Sequence, residues 1–249
     1  MRLDVALLPG QRVDRARSVC VVVDVLRASS SIVTLLERGA AGVVAAADIA
    51  EARRLHERLP DHVLCGEKDG VPPAGFDYGN SPAEFARVDL AGKPVILATS
   101  NGTRLLAAVA QEAPVVLVGC LLNRTAAARA SLALAAERGL DLAVLASGAY
   151  RGSVFVLEDA LGAGAIAEAA LGLDPALEAA DAARFAADAF AQVRPRLPEA
   201  VAAAAHAREL VEQGLGADVE YCSRLDVSGV APLLVVGEDG VLRLSGWRG

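Results

Sequence analysis

Short runs of aliphatic and β-branched residues recur along this chain, each ending in a polar turn that opens onto helical spacing. The clearest is Val21-Val22-Val23-Asp24-Val25-Leu26-Arg27-Ala28-Ser29-Ser30-Ser31. Cys20 to Val23 suits a strand buried on both faces, whereas Ile32, Leu35 and Leu36 fall at helical spacing and Ser29 to Ser31 offer N-cap hydroxyls. The same unit follows Ala98, Val118 and Ala146. Strand alternating with helix predicts an α/β fold, a mainly parallel or mixed sheet layered with helices. Strands are expected at residues 3–8, 20–23, 42–47, 63–65, 94–98, 115–118 and 142–146, with helices at 49–59 and 124–137, the latter capped by Asn123. From 161 to about 213 the chain turns alanine-rich and helical, and residues 230–236 and 241–244, joined at Asp239-Gly240, read as a terminal hairpin.

Where such strands end is where open α/β sheets bind ligands. Asp24 and Arg27 stand there, before a helix N-terminus whose free N–H groups attract anions. A carboxylate, a guanidinium and those donors together suit a divalent metal and a phosphate. Thr99-Ser100-Asn101-Gly102-Thr103 is a second such turn, its glycine permitting close backbone approach to an anion. Glu67, Glu158 and Asp159 also stand near the ends of apolar runs, and hard oxygen ligands from several loops at one sheet edge are what Mg²⁺ needs. Helix-start carboxylates favoured by the dipole are the competing account of Glu158 and Asp159. Arg151 could clamp an anionic substituent, and the polar loop at 66–82 is long enough to be functional.

The net charge of −7 excludes a general nucleic-acid surface, so an anionic substrate must meet a local cationic site. No signal peptide or membrane-spanning run is present, which leads us to expect a cytoplasmic protein with no membrane partner. Cys20, Cys65, Cys120 and Cys222 form no CxxC and are expected as buried, reduced thiols. His56, His62 and His206 lack metal-ligand spacing and are expected at the surface. The chain carries no DxD dehalogenase motif, Cys-x5-Arg loop, Walker A sequence or GxSxG elbow. Gly162-Ala163-Gly164-Ala165-Ile166-Ala167 matches GxGxxA, but inside a helix, where close packing explains it.

With these residues in view the chain resembles the 2-phosphosulfolactate phosphatase family. The matching motifs are Asp24-Val25-Leu26-Arg27-Ala28-Ser29, Gly66-Glu67, Gly75-Phe76-Asp77-Tyr78-Gly79-Asn80-Ser81-Pro82, Thr99-Ser100-Asn101-Gly102-Thr103, and Leu157-Glu158-Asp159 with Gly162 and Gly164. A weaker tail pattern follows at His206, Leu210, Gly214, Asp218, Cys222 and Asp226. Ser100 and Ser147 depart mildly from it. The resemblance implies one phosphatase domain over 1–249, built from two related α/β lobes near 1–125 and 126–249. It implies Mg²⁺-dependent hydrolysis of (R)-2-phospho-3-sulfolactate in the coenzyme M pathway.

On that reading Asp24, Glu67 and Asp159, with Glu158, would hold Mg²⁺, and Asp24 would be metal ligand or nucleophile. Arg27, Ser29, Ser30, Ser100, Asn101, Gly102 and Thr103 would bind the phosphoryl oxygens. Asn80, Asn123 and Arg151 would face the sulfonate and carboxylate. Alternatives are a phosphatase of another small phosphorylated acid, a Mg²⁺-dependent lyase or isomerase, and a non-catalytic binding protein. The alanine-rich helices fit packing within one subunit or across a homodimer.

Overall fold

The computed structural model describes residues 1–150 and 152–247. β2 (Ser18–Val23) is buried along all six residues and pairs in parallel with β6 (Val115–Gly119) on one side and β7 (Asp141–Ala146) on the other. Its alternation divides the interior: Val19, Val21 and Val23 enter one core, Cys20 and Val22 the other. Burial on both faces is why the run is continuously apolar. β1 (Arg2–Ala6) lies beyond β7, and the short β8 (Glu178–Ala179) closes that edge. A second parallel group contains β3 (Gly42–Ala46), β5 (Pro94–Ala98) and β4 (Val63–Gly66).

The hairpin of β9 (Pro232–Val236) and β10 (Leu242–Gly246) joins the two groups, β9 antiparallel to β6 and β10 antiparallel to β3. The order is β4-β5-β3-β10-β9-β6-β2-β7-β1-β8 in one ten-stranded sheet. This is the expected α/β architecture, with one addition. Three successive antiparallel pairings reverse the strand direction three times, so the two parallel groups run in opposite senses. A boundary near residue 125 does not divide this sheet, because β7 inserts between β2 and β1 and the hairpin between β6 and β3.

One core lies under α1 (Ala28–Glu37), α3 (Pro82–Phe85) and α4 (Gly102–Val109), through Ile32, Leu35, Phe85 and Leu106. The other lies under α5 (Arg124–Arg138), α6 (Leu157–Leu173) and α7 (Asp181–Val193). It also takes in α8 (Leu197–Ala202), α9 (Ala205–Glu212) and α10 (Gly216–Cys222). α2 (Ile49–Arg58) covers a third, smaller cluster. The GxGxxA segment is a packing seam: a Cβ at Gly164 would lie 2.2 Å from the Ala186 carbonyl oxygen, and one at Gly162 would lie 2.6 Å from Val25. All four cysteines are free and buried, as expected. Among the described residues no helix is long and apolar enough to cross a membrane.

Candidate active site

A cleft of about 960 Å³ opens at the carboxyl ends of β2, β4 and β5. Asp24 follows β2, and its backbone folds straight into α1. Its Oδ1 accepts from the Ala28 N–H at 3.0 Å, and its Oδ2 from the Ser147 hydroxyl at 3.3 Å. Asp24 therefore caps α1, a role expected of the serines, which lie inside the helix. The Ser29 hydroxyl accepts from the Asp24 N–H at 2.9 Å, and the Ser30 hydroxyl donates to the Val25 carbonyl at 2.7 Å. Both serines are engaged beneath the cleft, bracing the Asp24 turn rather than lining it. The Leu26–Arg27 peptide is cis.

α4 meets Asp24 from the second parallel group. A Cβ at Gly102 would lie 2.6 Å from Asp24 Oδ2 and 2.5 Å from Ala28 Cβ, so this contact admits only glycine. The Thr99 and Thr103 side chains close the preceding turn on itself, with Thr103 Oγ1 accepting from the Thr99 N–H at 2.9 Å and Thr99 Oγ1 from the Thr103 N–H at 3.2 Å. Thr103 is thus engaged in the turn, while Ser100 and Asn101 line the cleft.

Asp159 and Glu158 enter from the first turn of α6. Asp159 accepts from two backbone donors, the Val25 N–H at 2.8 Å and the Gly148 N–H at 2.9 Å, and so clips the β2 and β7 loops together. Burial, then the neighbouring charges of Asp24 and Glu158, push its carboxyl well above the ordinary range. Burial raises Asp24 as well, against the Ala28 hydrogen bond. Glu158, 1% exposed, places Oε1 3.0 Å from His206 Nδ1, while its buried Oε2 has no hydrogen-bond partner among the described residues. Burial disfavours the His206 imidazolium, yet the bond to Glu158 and the charge of Asp24 hold its pKa above the ordinary value.

Glu67 and Arg27 organise the far wall. Glu67 Oε1 accepts from the Ser100 N–H at 2.7 Å and Oε2 from the Gly70 N–H at 2.9 Å, tying the β4 loop to the β5 loop. Arg27 donates from Nη1 to Asp218 Oδ2 at 2.9 Å and from Nη2 to the Gly70 carbonyl at 3.2 Å. Asp218 also accepts from the Ser81 hydroxyl at 2.6 Å and the Ala83 N–H at 3.0 Å. Asn80 lines the cleft and accepts from the Ser31 hydroxyl at 2.6 Å.

Asn123 is placed away from the cleft. It stands at the N-cap position of α5, but its side chain accepts from the Cys120 N–H at 2.9 Å and donates to the Val230 carbonyl at 2.8 Å. Asp226 caps α5 instead, accepting from the Thr125 N–H at 2.8 Å. Arg151 lies outside the described residues. His206 corrects the surface expectation, and Asp218 was visible only as a member of a weak tail pattern. Neither has a local sequence motif, since long-range packing brings α9 and α10 to the cleft.

A Mg²⁺ ion at this site would need oxygen donors that are not already engaged. Among the described residues no three His, Cys, Asp or Glu side chains form a metal cage. Mg²⁺ is, however, commonly held by one or two carboxylates, with waters and substrate phosphate completing the shell. Asp159 and Glu67 use both oxygens on backbone donors. Asp24 Oδ2, held only by a long hydroxyl contact, and the unpartnered Glu158 Oε2 remain. A buried, partnerless carboxylate oxygen in a crowded acidic cluster fits a divalent cation.

Residues 6–237 match the family model described as 2-phosphosulpholactate phosphatase. A relative named probable 2-phosphosulfolactate phosphatase from Deinococcus radiodurans is 38% identical over 246 residues, 98% of this chain and 98% of its own. Relatives with the same name from Pseudothermotoga lettingae and Thermus thermophilus are each 36% identical over 234 residues, 94% of this chain, covering 96% and 94% of their own lengths.

Proposed function

The chain belongs to the 2-phosphosulfolactate phosphatase family, and we propose that it is a Mg²⁺-dependent phosphoric monoester hydrolase acting on 2-phospho-3-sulfolactate, releasing phosphate and 3-sulfolactate as in coenzyme M synthesis. The observation that carries this is the buried acidic cluster of Asp24, Glu158 and Asp159, whose Glu158 Oε2 has no hydrogen-bond partner among the described residues. Asp24 and Glu158 would hold Mg²⁺, and Asp159 would keep the two loops in register. When bound, Mg²⁺ supplies neutralisation of the phosphoryl charge.

The chain's own groups do the rest. Arg27 has five N–H donors, of which Asp218 and Gly70 fix the plane, leaving others for phosphoryl oxygens. The first turn of α4 presents its dipole beside Asp24. With Glu158 accepting a hydrogen bond from His206 Nδ1–H, the imidazolium would hold its other proton on Nε2 and pass it to the leaving alkoxide as the ester P–O bond breaks and water takes its place on phosphorus.

The test is phosphate release from racemic phosphosulfolactate and a panel of other phosphomonoesters, each with Mg²⁺ and with a chelator. Metal-dependent release fastest from phosphosulfolactate is the expected result. Fastest release from another ester would replace the substrate, and phosphate or sulfolactate binding without turnover would replace catalysis by binding.

A further inference from the structure

We propose that Arg104, together with Lys68 of the same cleft, forms the subsite for the anionic group that stays on the substrate, and so selects esters bearing a sulfonate or carboxylate next to the phosphate. This rests on the phosphatase reading. The cleft is lined by six carboxylates, those of Asp24, Asp48, Glu67, Asp69, Glu158 and Glu209. A substrate with several negative groups enters against that field unless uncommitted cations receive it. The charge of Arg27 is already balanced by Asp218 and that of His206 by Glu158, and their remaining donors serve the phosphoryl group and the leaving oxygen. Arg104 and Lys68 line the same cleft, yet among the described residues neither side chain has an ion-pair or hydrogen-bond partner.

Their backbones are fixed. Arg104 belongs to the first turn of α4, two residues after Gly102, and lines the cleft that Asp24 also lines. Lys68 exchanges two backbone hydrogen bonds with Val71, at 2.9 and 3.2 Å, and Glu67 ties this loop to the Ser100 N–H. A half-buried arginine on the first turn of a helix, facing the same cleft as Asp24, suits a planar or tripodal oxyanion, with the exposed lysine as an added point charge.

The experiment compares wild type, Arg104→Gln, Arg104→Lys and Lys68→Gln on phosphosulfolactate, 2-phospholactate and isopropyl phosphate, whose remainder is uncharged. Wild type is expected to prefer the two anionic esters. Arg104→Gln is expected to lower the kcat/KM ratio of phosphosulfolactate to isopropyl phosphate about tenfold or more, mainly through KM, with part regained in Arg104→Lys and a smaller loss in Lys68→Gln. Equal losses on all three esters, or a ratio that does not move, would overturn the assignment. If wild type releases phosphate from no ester, the phosphatase reading fails by itself, and sulfolactate titration calorimetry still decides the subsite. Weaker binding to Arg104→Gln than to wild type supports it, whereas equal or undetectable binding to both overturns it.

Discussion

Among the described residues, Glu158 Oε2 is a buried carboxylate oxygen with no partner, and it sits within a cluster whose other members are braced by backbone N–H groups. That asymmetry separates scaffold from chemistry residue by residue. Asp24→Asn preserves both contacts, since the amide oxygen can accept from Ala28 and the amide nitrogen can donate to Ser147. Removing a charge from a crowded buried site is expected to stabilise the protein by about 0.5–2 kcal/mol. The same change is expected to lower phosphate release about a hundredfold or more. A Tm rise with activity lost is the expected pair of readings, and full turnover in the variant would remove Asp24 from the chemistry. His206→Asn tests the proton-handling role. A drop in kcat of about 10² is expected, with the alkaline limb of the pH–rate profile abolished, whereas a change in KM alone would make His206 a binding group.

At the scale of elements, the contact of α1 with α4 joins two parallel strand groups that run in opposite senses, and Gly102 is its narrowest point. Gly102→Ala is expected to cost about 1–3 kcal/mol in denaturant melts and to displace the Asp24 carboxylate, because Ala28 and the short Asp24 side chain cannot swing away. Wild-type stability and activity in that variant would show the contact to be slack. The strand–turn–helix units were legible because burial on both faces demands continuous apolar runs, as in Cys20 to Val23. The serines were legible as polar groups near a helix start, but not as braces for Asp24, because a hydroxyl serves ligand and backbone equally well. His206 and Asp218 were not assignable, since α9 and α10 reach the cleft through packing between alanine-rich helices that local pattern does not encode. The burial of Cys20, Cys65 and Cys120 was legible from the apolar runs they end or adjoin, whereas Cys222 stands in a polar stretch and is buried by packing. Burial pushes Cys20 up to about 12 and Cys120 up to about 11, so all four cysteines are expected to resist a disulfide reagent at pH 8 until denaturant is added.

Across the whole molecule the acidic cluster ties stability to pH and, with the proposed Mg²⁺, to metal as well. Asp24 and Asp159 carry carboxyls raised by burial, with Asp24 and Glu158 adding to the shift at Asp159. Below the ordinary carboxyl pKa of about 4, folded and unfolded chains both hold these protons and no penalty exists. Above it the unfolded chain ionises while the native protein keeps its protons. Native protein then binds more protons than unfolded chain, and the contribution to stability falls as pH rises, until the raised native pKa values are passed. A divalent cation held as proposed would reverse the trend, because it would bind the ionised cluster of the folded chain and not the unfolded one. Saturating Mg²⁺, at about a hundred times its dissociation constant, is worth about 2.7 kcal/mol, or about 5–10 °C in Tm for a chain of this size. The expected result is a Mg²⁺-induced rise in the wild-type Tm that is larger at pH 8 than at pH 5 and absent in Asp24→Asn. An equal rise in the variant would place the cation elsewhere. No rise in either would remove Mg²⁺ from this cluster.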